Sequence, residues 1–308
     1  MDFFTSLLSA LPGAVAQGLI WGLMAIGVYI TYKVLDLADL TVDGTMCTGG
    51  AVFIMLTMAG APIPLALLGA FLAGMLAGLA TSLFHTVCGI PAILAGILTQ
   101  LALYSVNLRI MGQANQPISF RNYDLLISSR NVKSLSLENP ILIGVLFTIV
   151  IIALLYWFFG TELGSSLRAT GANASMARAQ GINTNFAKVL GLMLSNGLVA
   201  LSSALLAQYQ GFADVNMGRG AIVIGLAAVI IGEVLLSKVF RNFALLLLSV
   251  VIGSILYYVV YNVVIWLGLN TDDMKLITAL IVAVFLTIPY WKGKYFSKPG
   301  RKGASSHA

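Results

Sequence analysis

The stretch Asn139-Pro-Ile-Leu-Ile-Gly-Val-Leu-Phe-Thr-Ile-Val-Ile-Ile-Ala-Leu-Leu-Tyr-Trp-Phe-Phe-Gly160 decides the fold. Asn139 is a helix-capping residue type, Pro140 suits the first helical position, and Gly160 suits a helix end. Between them lies an uncharged apolar run at 141–159, close to the roughly 20 residues that cross a bilayer core of about 30 Å. A soluble helix is apolar on one stripe; this one is apolar all round, as a membrane span must be.

Working outward, the same texture recurs at 14–32, 46–60, 65–85, 91–108, 189–207, 221–237, 243–266 and 275–290. Turn chemistry separates the runs: Pro62 and Pro64 before the third, Gly89-Ile90-Pro91 at the fourth, Pro289 at the last. Eight to ten spans are expected. Composition agrees, since 59% of the 308 residues are hydrophobic and 9% charged, with mean hydropathy +0.96. So little charge cannot cover a water-facing exterior. The predicted fold is an all-α polytopic membrane helix bundle of 8–10 transmembrane helices with a short cytoplasmic helix. The domain expectation is 1–291 in the membrane and 292–308 as a basic cytoplasmic tail. Glycine-spaced pairs at Gly18/Gly22 and Gly74/Gly78 mark close helix contacts, within or between chains.

The net charge of +6 reads as a topology signal, with no nucleic-acid partner expected. With 160–188 cytoplasmic, Arg168, Arg178, Lys188, Lys238, Arg241, Lys292, Lys294, Lys298, Arg301 and Lys302 fall inside. Arg219 and Lys275 fall outside, and the C-terminus is cytoplasmic. The segment 109–140 is then a long outer loop without an element of its own. The first apolar run lacks a basic leader and reads as retained. Cys47 and Cys88 read as small buried thiols.

Catalytic patterns are mostly missing. No phosphate-cradling G-x-x-x-x-G-K-[ST] occurs, nor a His/Cys metal cluster. An intramembrane serine hydrolase would need a buried histidine base, and His85 is the one residue placed to serve. No metal or catalytic centre is therefore expected in this chain.

The loop Gly160–Lys188 carries the first positive signal. Asn173 is a good N-cap for a helix over 174–180 and Gly181 a natural residue just past its end. That two-turn helix would display Ser175, Met176, Arg178 and Gln180. Such a helix is too short to hold itself in water. It either rests on headgroups or docks on a cytoplasmic partner.

Gly164-Ser-Ser-Leu-Arg-Ala-Thr-Gly171, Asn173 and Met176-Ala-Arg-Ala-Gln-Gly-Ile-Asn183 together resemble the cytoplasmic loop of ABC importer permeases of the branched-chain amino acid and ribose type. Ala204-Leu-Leu-Ala-Gln-Tyr-Gln-Gly211 and Asn216-Met-Gly218 extend the resemblance. Ile231-Gly232-Glu233-Val234 departs from the glycine-rich turn many relatives carry there. The resemblance implies a coupling helix formed by Asn173, Ser175, Met176, Arg178, Gln180 and Gly181. It also implies an ATPase subunit dimer that binds ATP and magnesium, an extracytoplasmic substrate-binding protein, and a second permease copy. This chain itself would bind no cofactor and would lie in a bacterial cytoplasmic membrane.

The second signal is Leu35-Asp-Leu-Ala-Asp-Leu-Thr-Val-Asp-Gly-Thr45. If helical, Asp36, Asp39 and Asp43 share one face. At bilayer depth each unpaired carboxylate costs about 3 kcal/mol and must face water or a partner; in a cytoplasmic loop all three are simply solvated. The stretch is similar to that of a tryptophan and tyrosine import subgroup. The resemblance then implies a discontinuous second helix beside the permeation path, with the break suited to Gly44, Gly49 and Gly50. Asp36, Asp39, Asp43, Asn196 and Glu233 are the expected path residues. The function expected is import of an amino acid, aromatic or branched-chain, by alternating access. An ion-coupled secondary transporter using the same carboxylates, or a sugar or nucleoside permease, are the alternatives.

Overall fold

The computed structural model describes residues 3–119, 123, 125–133, 139–236, 240 and 242–266, with 276, 278–280, 282–284 and 287 beyond them. Helix α1 (Phe3–Tyr29) continues as a π-helical turn, Ile30–Val34. There follow α2 (Val42–Met58), α3 (Ile63–Thr86), α4 (Ala92–Met111) and α5 (Pro140–Gly160). Then come α6 (Glu162–Ala172), α7 (Ala174–Ala179), α8 (Thr184–Gln210), α9 (Ala221–Leu236) and α10 (Phe243–Trp266). Six helical segments among the described residues are long and apolar enough to cross a membrane, while α2 and α9 are shorter apolar helices. The chain is an all-α, multi-pass membrane protein, as expected. Eight of the expected spans fall on these helices. The ninth, 275–290, lies largely outside the described residues, as do Lys238, Arg241, Lys275 and the whole 292–308 tail.

The apolar surfaces are distributed by role. In α1 and α8 78% and 72% of the best apolar window is buried, against 22% in α4 and in α5. The first two helices form the centre of the bundle; α4 and α5 present Leu101, Leu146 and Leu154 outward, where lipid tails take the place of water. Inside lipid no hydrophobic drive holds helices together, so close approach must do it. Gly49, Gly74 and Gly78 each lie so near the α8 backbone that an added Cβ would overlap Ala200, Asn196 or Leu192. Gly18 meets the Ile255 backbone of α10 in the same way and Gly22 lies more loosely against Val251, so both glycine-spaced pairs make contacts within one chain. Hydroxyls add stitches: Ser195 donates to the Gly27 carbonyl and Ser202 to the Ile20 carbonyl, each at 2.7 Å. A stitch of this kind contributes about 0.6 kcal/mol.

Two sequence expectations change here. The long loop after α4 does carry an element: β1 (Asn115–Pro117) pairs antiparallel with β2 (Phe212–Asp214), which follows α8. The two loops assigned to the outer face are thus one structure. Cys47 is buried and Cys88 exposed, both as free thiols. The helix carrying Cys88's neighbours ends at Thr86, which leaves that thiol beyond the packed interface.

Candidate functional site

The segment 160–183 is an elbow of two helices. Thr161 caps α6 through the Gly164 amide. The Asn173 side chain then accepts from the Met176 amide at 3.0 Å and from the Ser175 hydroxyl at 2.7 Å, starting α7. Gln180 closes α7 and Gly181 turns the chain at φ +83°, the left-handed region that favours glycine. Asn183 caps α8 through the Phe186 amide. The expected helix over 174–180 is therefore present, and α6 before it was not foreseen. Ala177 is the buried contact of α7, while Met176 is 63% exposed at the tip with Arg178 beside it. At the base, Arg168 donates to the Phe159 carbonyl at 2.6 Å and lies 5.8 Å from the centre of the Phe243 ring. His85, placed in no catalytic pair, joins the Ile90 carbonyl and the Lys188 amine.

Gly171 of α6 packs directly on the backbone of Val34 and Leu35. That contact lands on the irregular segment between α1 and α2. The π turn ends with Leu35 N–H bonded to the Ile30 carbonyl and Leu37 N–H to the Thr31 carbonyl. Asp36 follows at φ +54°, a left-handed position that Asp tolerates better than most side chains. The helix then breaks until Val42. The three aspartates consequently do not share a helical face: Asp36 is exposed at the turn, Asp39 lies in the break, and Asp43 opens α2. The break is also earlier than Gly44, Gly49 and Gly50, which sit inside continuous α2 as packing contacts. π turns and broken helices concentrate at functional positions in membrane bundles.

Each aspartate meets a different fate. Asp36 lines a cavity of about 490 Å³ together with Lys33, Arg168 and Gly171. Asp39 is 2% exposed; its oxygens accept from the Thr41 amide at 2.9 Å and the Asn196 amide nitrogen at 2.7 Å. Asn196 in turn accepts from the Thr45 hydroxyl at 2.7 Å and is fully buried. A run of hydroxyls, Thr41 to Thr81 to Thr99, completes this packed polar patch. Asp43 reaches the start of α9 and accepts the Gly220 and Ile222 amides at 3.0 Å each. It caps another element's N-terminus, where a negative charge is favoured. Near the other end of α9, Glu233 pairs with Lys33 at 2.7 Å, both side chains a little under half exposed. The α1–α2 connection thus holds α9 at two points.

Two cavities adjoin that capped terminus. One of about 280 Å³ is lined by Asp43, Cys47, Gln100, Tyr104, Asn107 and Arg219 among others. The other, about 550 Å³, is walled by Trp21, Tyr257, Tyr258 and Tyr261 and also reaches Arg219. Sequence reading assigned Arg219 only to an outer loop and passed over Lys33 and Gly171. An isolated arginine among the glycines 218 and 220 was the available signal. No His/Cys/Asp/Glu group among the described residues could hold a metal.

A protein-family model described as "Branched-chain amino acid transport system / permease component" matches residues 11–288. A tyrosine transport system permease protein of Clostridioides difficile is 39% identical over 280 residues, covering 91% of this chain and 91% of its own. A galactofuranose transporter permease protein of Escherichia coli is 29% identical over 253 residues, 81% of this chain and 71% of its own. Among solved structures, PsaBC from Streptococcus pneumoniae in complex with Fab aligns with a TM-score of 0.56 at 17% identity. The match covers 95% of this chain and 98% of that one, a likeness of fold.

Proposed function

This chain belongs to the family of branched-chain amino acid transport system permease components, and from that premise we propose that it imports an amino acid by alternating access driven by a separate ATPase. Membership decides for an ABC permease subunit over an ion-coupled carrier. Of the carboxylates that suggested ion coupling, Asp39 and Asp43 are instead engaged with amides of the chain itself and Glu233 with Lys33, while Asp36 lies exposed beside a cavity. An aromatic side chain on the substrate is favoured, since the tyrosine permease relative matches nearly end to end.

The observation that carries the mechanism is the capped α6–α7 elbow between two spans, with its exposed Met176–Arg178 tip. An apolar knob beside a cation fits a cleft on a soluble partner better than it fits water. A pair of ATPase subunits holding ATP and magnesium closes on this tip. The push passes through Gly171 to the break after Val34, and from there to α9, which Asp43 and Lys33 grip. Two copies of the chain flank the path, and a binding protein delivers substrate at the β1–β2 side. The chain performs no covalent chemistry, and its C-terminus with the basic 292–308 tail lies on the ATPase side of the bacterial cytoplasmic membrane.

Replacing Met176 and Arg178 together, Met176→Ser with Arg178→Ala, tests the docking role. Expected is loss of ATP-driven uptake by more than tenfold, with unchanged membrane insertion and monodispersity. Uptake at the wild-type rate would remove α7 from the coupling path. A panel of labelled tyrosine, tryptophan, leucine and a hexose tests the substrate class.

A further inference from the structure

Arg219 is the one basic side chain among the described residues that lines both cavities at the α9 terminus. Its guanidinium makes no ion pair or hydrogen bond among the described residues. Arg219 is exposed in the turn before α9, and a cation set on the low-dielectric wall of a cavity draws an anionic group toward it. Across the smaller cavity stand the Asp43 carboxylate and Asn107. Asn107 is fully buried; its Nδ2 donates to the Gly44 carbonyl, and its Oδ1 has no hydrogen-bond donor among the described residues. Buried oxygens left unpaired in this way are uncommon. The smaller cavity therefore brings together an exposed cation, a carboxylate that already holds two amides, and one orphaned acceptor. A zwitterion, whose ammonium and carboxylate sit on a single carbon, needs that combination.

The larger cavity is different in character. Trp21 and Tyr258 lie 5.7 Å apart, Tyr258 and Tyr261 5.8 Å, and Tyr257 stacks on Tyr261 at 6.3 Å. These rings form a continuous wall whose faces favour another ring over an aliphatic chain. Tyr257 is wholly buried, and Thr278 stands on the same cavity lining. Gln17 and Gln210 supply further polar groups on the lining. About 550 Å³ is within the range of small-ligand pockets.

We infer that the two cavities joined at Arg219 form a binding site within each copy of the chain for an aromatic α-amino acid: carboxylate on Arg219, ammonium toward Asp43 and Asn107, ring against the tyrosine wall. This inference rests on the amino-acid import reading above and adds a resting place for substrate inside the protomer. Asp43 would then touch both the substrate and the α9 terminus, so occupancy and the position of α9 are linked through one carboxylate.

The test uses the permease with its ATPase in lipid nanodiscs, without nucleotide or binding protein, and radiolabelled tyrosine as probe. Expected is saturable binding displaced by tryptophan and phenylalanine and unaffected by leucine. Arg219→Gln should weaken it at least tenfold and raise the KM of tyrosine uptake in proportion, and Arg219→Lys should restore part of both. Tyr261→Leu should weaken binding several-fold with the protein still monodisperse. If Arg219→Gln leaves tyrosine binding and uptake KM at wild-type values, or the wild-type complex imports tyrosine but binds none, the cavity site is overturned while the import reading stands. If the wild-type complex imports only leucine or a hexose, the aromatic reading fails and the site with it.

Discussion

Asp39 and Asp43 lie four residues apart and do opposite work. Asp39 is enclosed by its own neighbourhood, with the Thr41 amide and Asn196 as partners, and its surroundings are helices whose backbones nearly touch. Asp43 reaches across to a different element and holds the first turn of α9 beside open space. Both are carboxylates taken from water, and both are matched by donors. A carboxylate whose partners are packed around it fixes a fold. One that caps the start of a helix beside a cavity holds a position that transport can change. The contrast separates structural from functional charge more sharply than burial alone.

Breaking the first half should have the larger effect on stability. Asp39→Ala strips the acceptor from the Asn196 amide and the Thr41 N–H in a site closed to solvent. A loss of about 2–4 kcal/mol is expected, read as a lower thermal midpoint and a smaller monodisperse peak in detergent. A variant as stable as wild type would mean that the polar patch repacks freely.

Asp43→Ala sharpens the other half. Losing a helix cap costs about 1 kcal/mol, so the protein should still insert and purify. Uptake should fall far more than stability, with ATP hydrolysis by the complex retained. Parallel losses of stability and uptake would make Asp43 another Asp39.

The smallest effect is expected at the far end of α9. The Lys33–Glu233 pair is close to half exposed, and pairs of that kind contribute about 0–1 kcal/mol and fade with salt. Lys33→Gln should shift the thermal midpoint by little at low salt and by nothing measurable at high salt. A larger shift would make that pair a second essential grip on α9.

The comparison also explains what sequence could and could not convey. Helix positions were legible because apolar length against bilayer thickness is a local property, and Asn173 with Gly181 announced α7 through capping chemistry alone. The break was harder. Asp36, Asp39 and Asp43 have helical spacing, and spacing cannot report the π turn at Ile30–Val34 or the left-handed Asp36 that rotates the chain out of register. Gly44, Gly49 and Gly50 carry the composition of a hinge and serve as contact surfaces, because what a glycine permits depends on the partner backbone. Glu233's pairing with Lys33 spans 200 positions of sequence, and the joining of two loops by β1 and β2 spans nearly 100. Arg219 stood out only once the two cavities were seen to meet at it.

Helix α8 deserves a mechanical reading. Its 27 residues make a rod about 40 Å long at 1.5 Å per residue, carrying the α6–α7 elbow at one end and β2 at the other. Along much of that length the neighbouring glycines bring backbone against backbone. A layer of side chains could flex and absorb displacement; a backbone contact leaves little to compress. On the coupling proposed above, a tilt imposed at the elbow would reach the β1–β2 ribbon with α2 and α3 carried along. Helix α8 would then be a stiff arm, with the short irregular joint between Val34 and Val42 as the place where the chain bends.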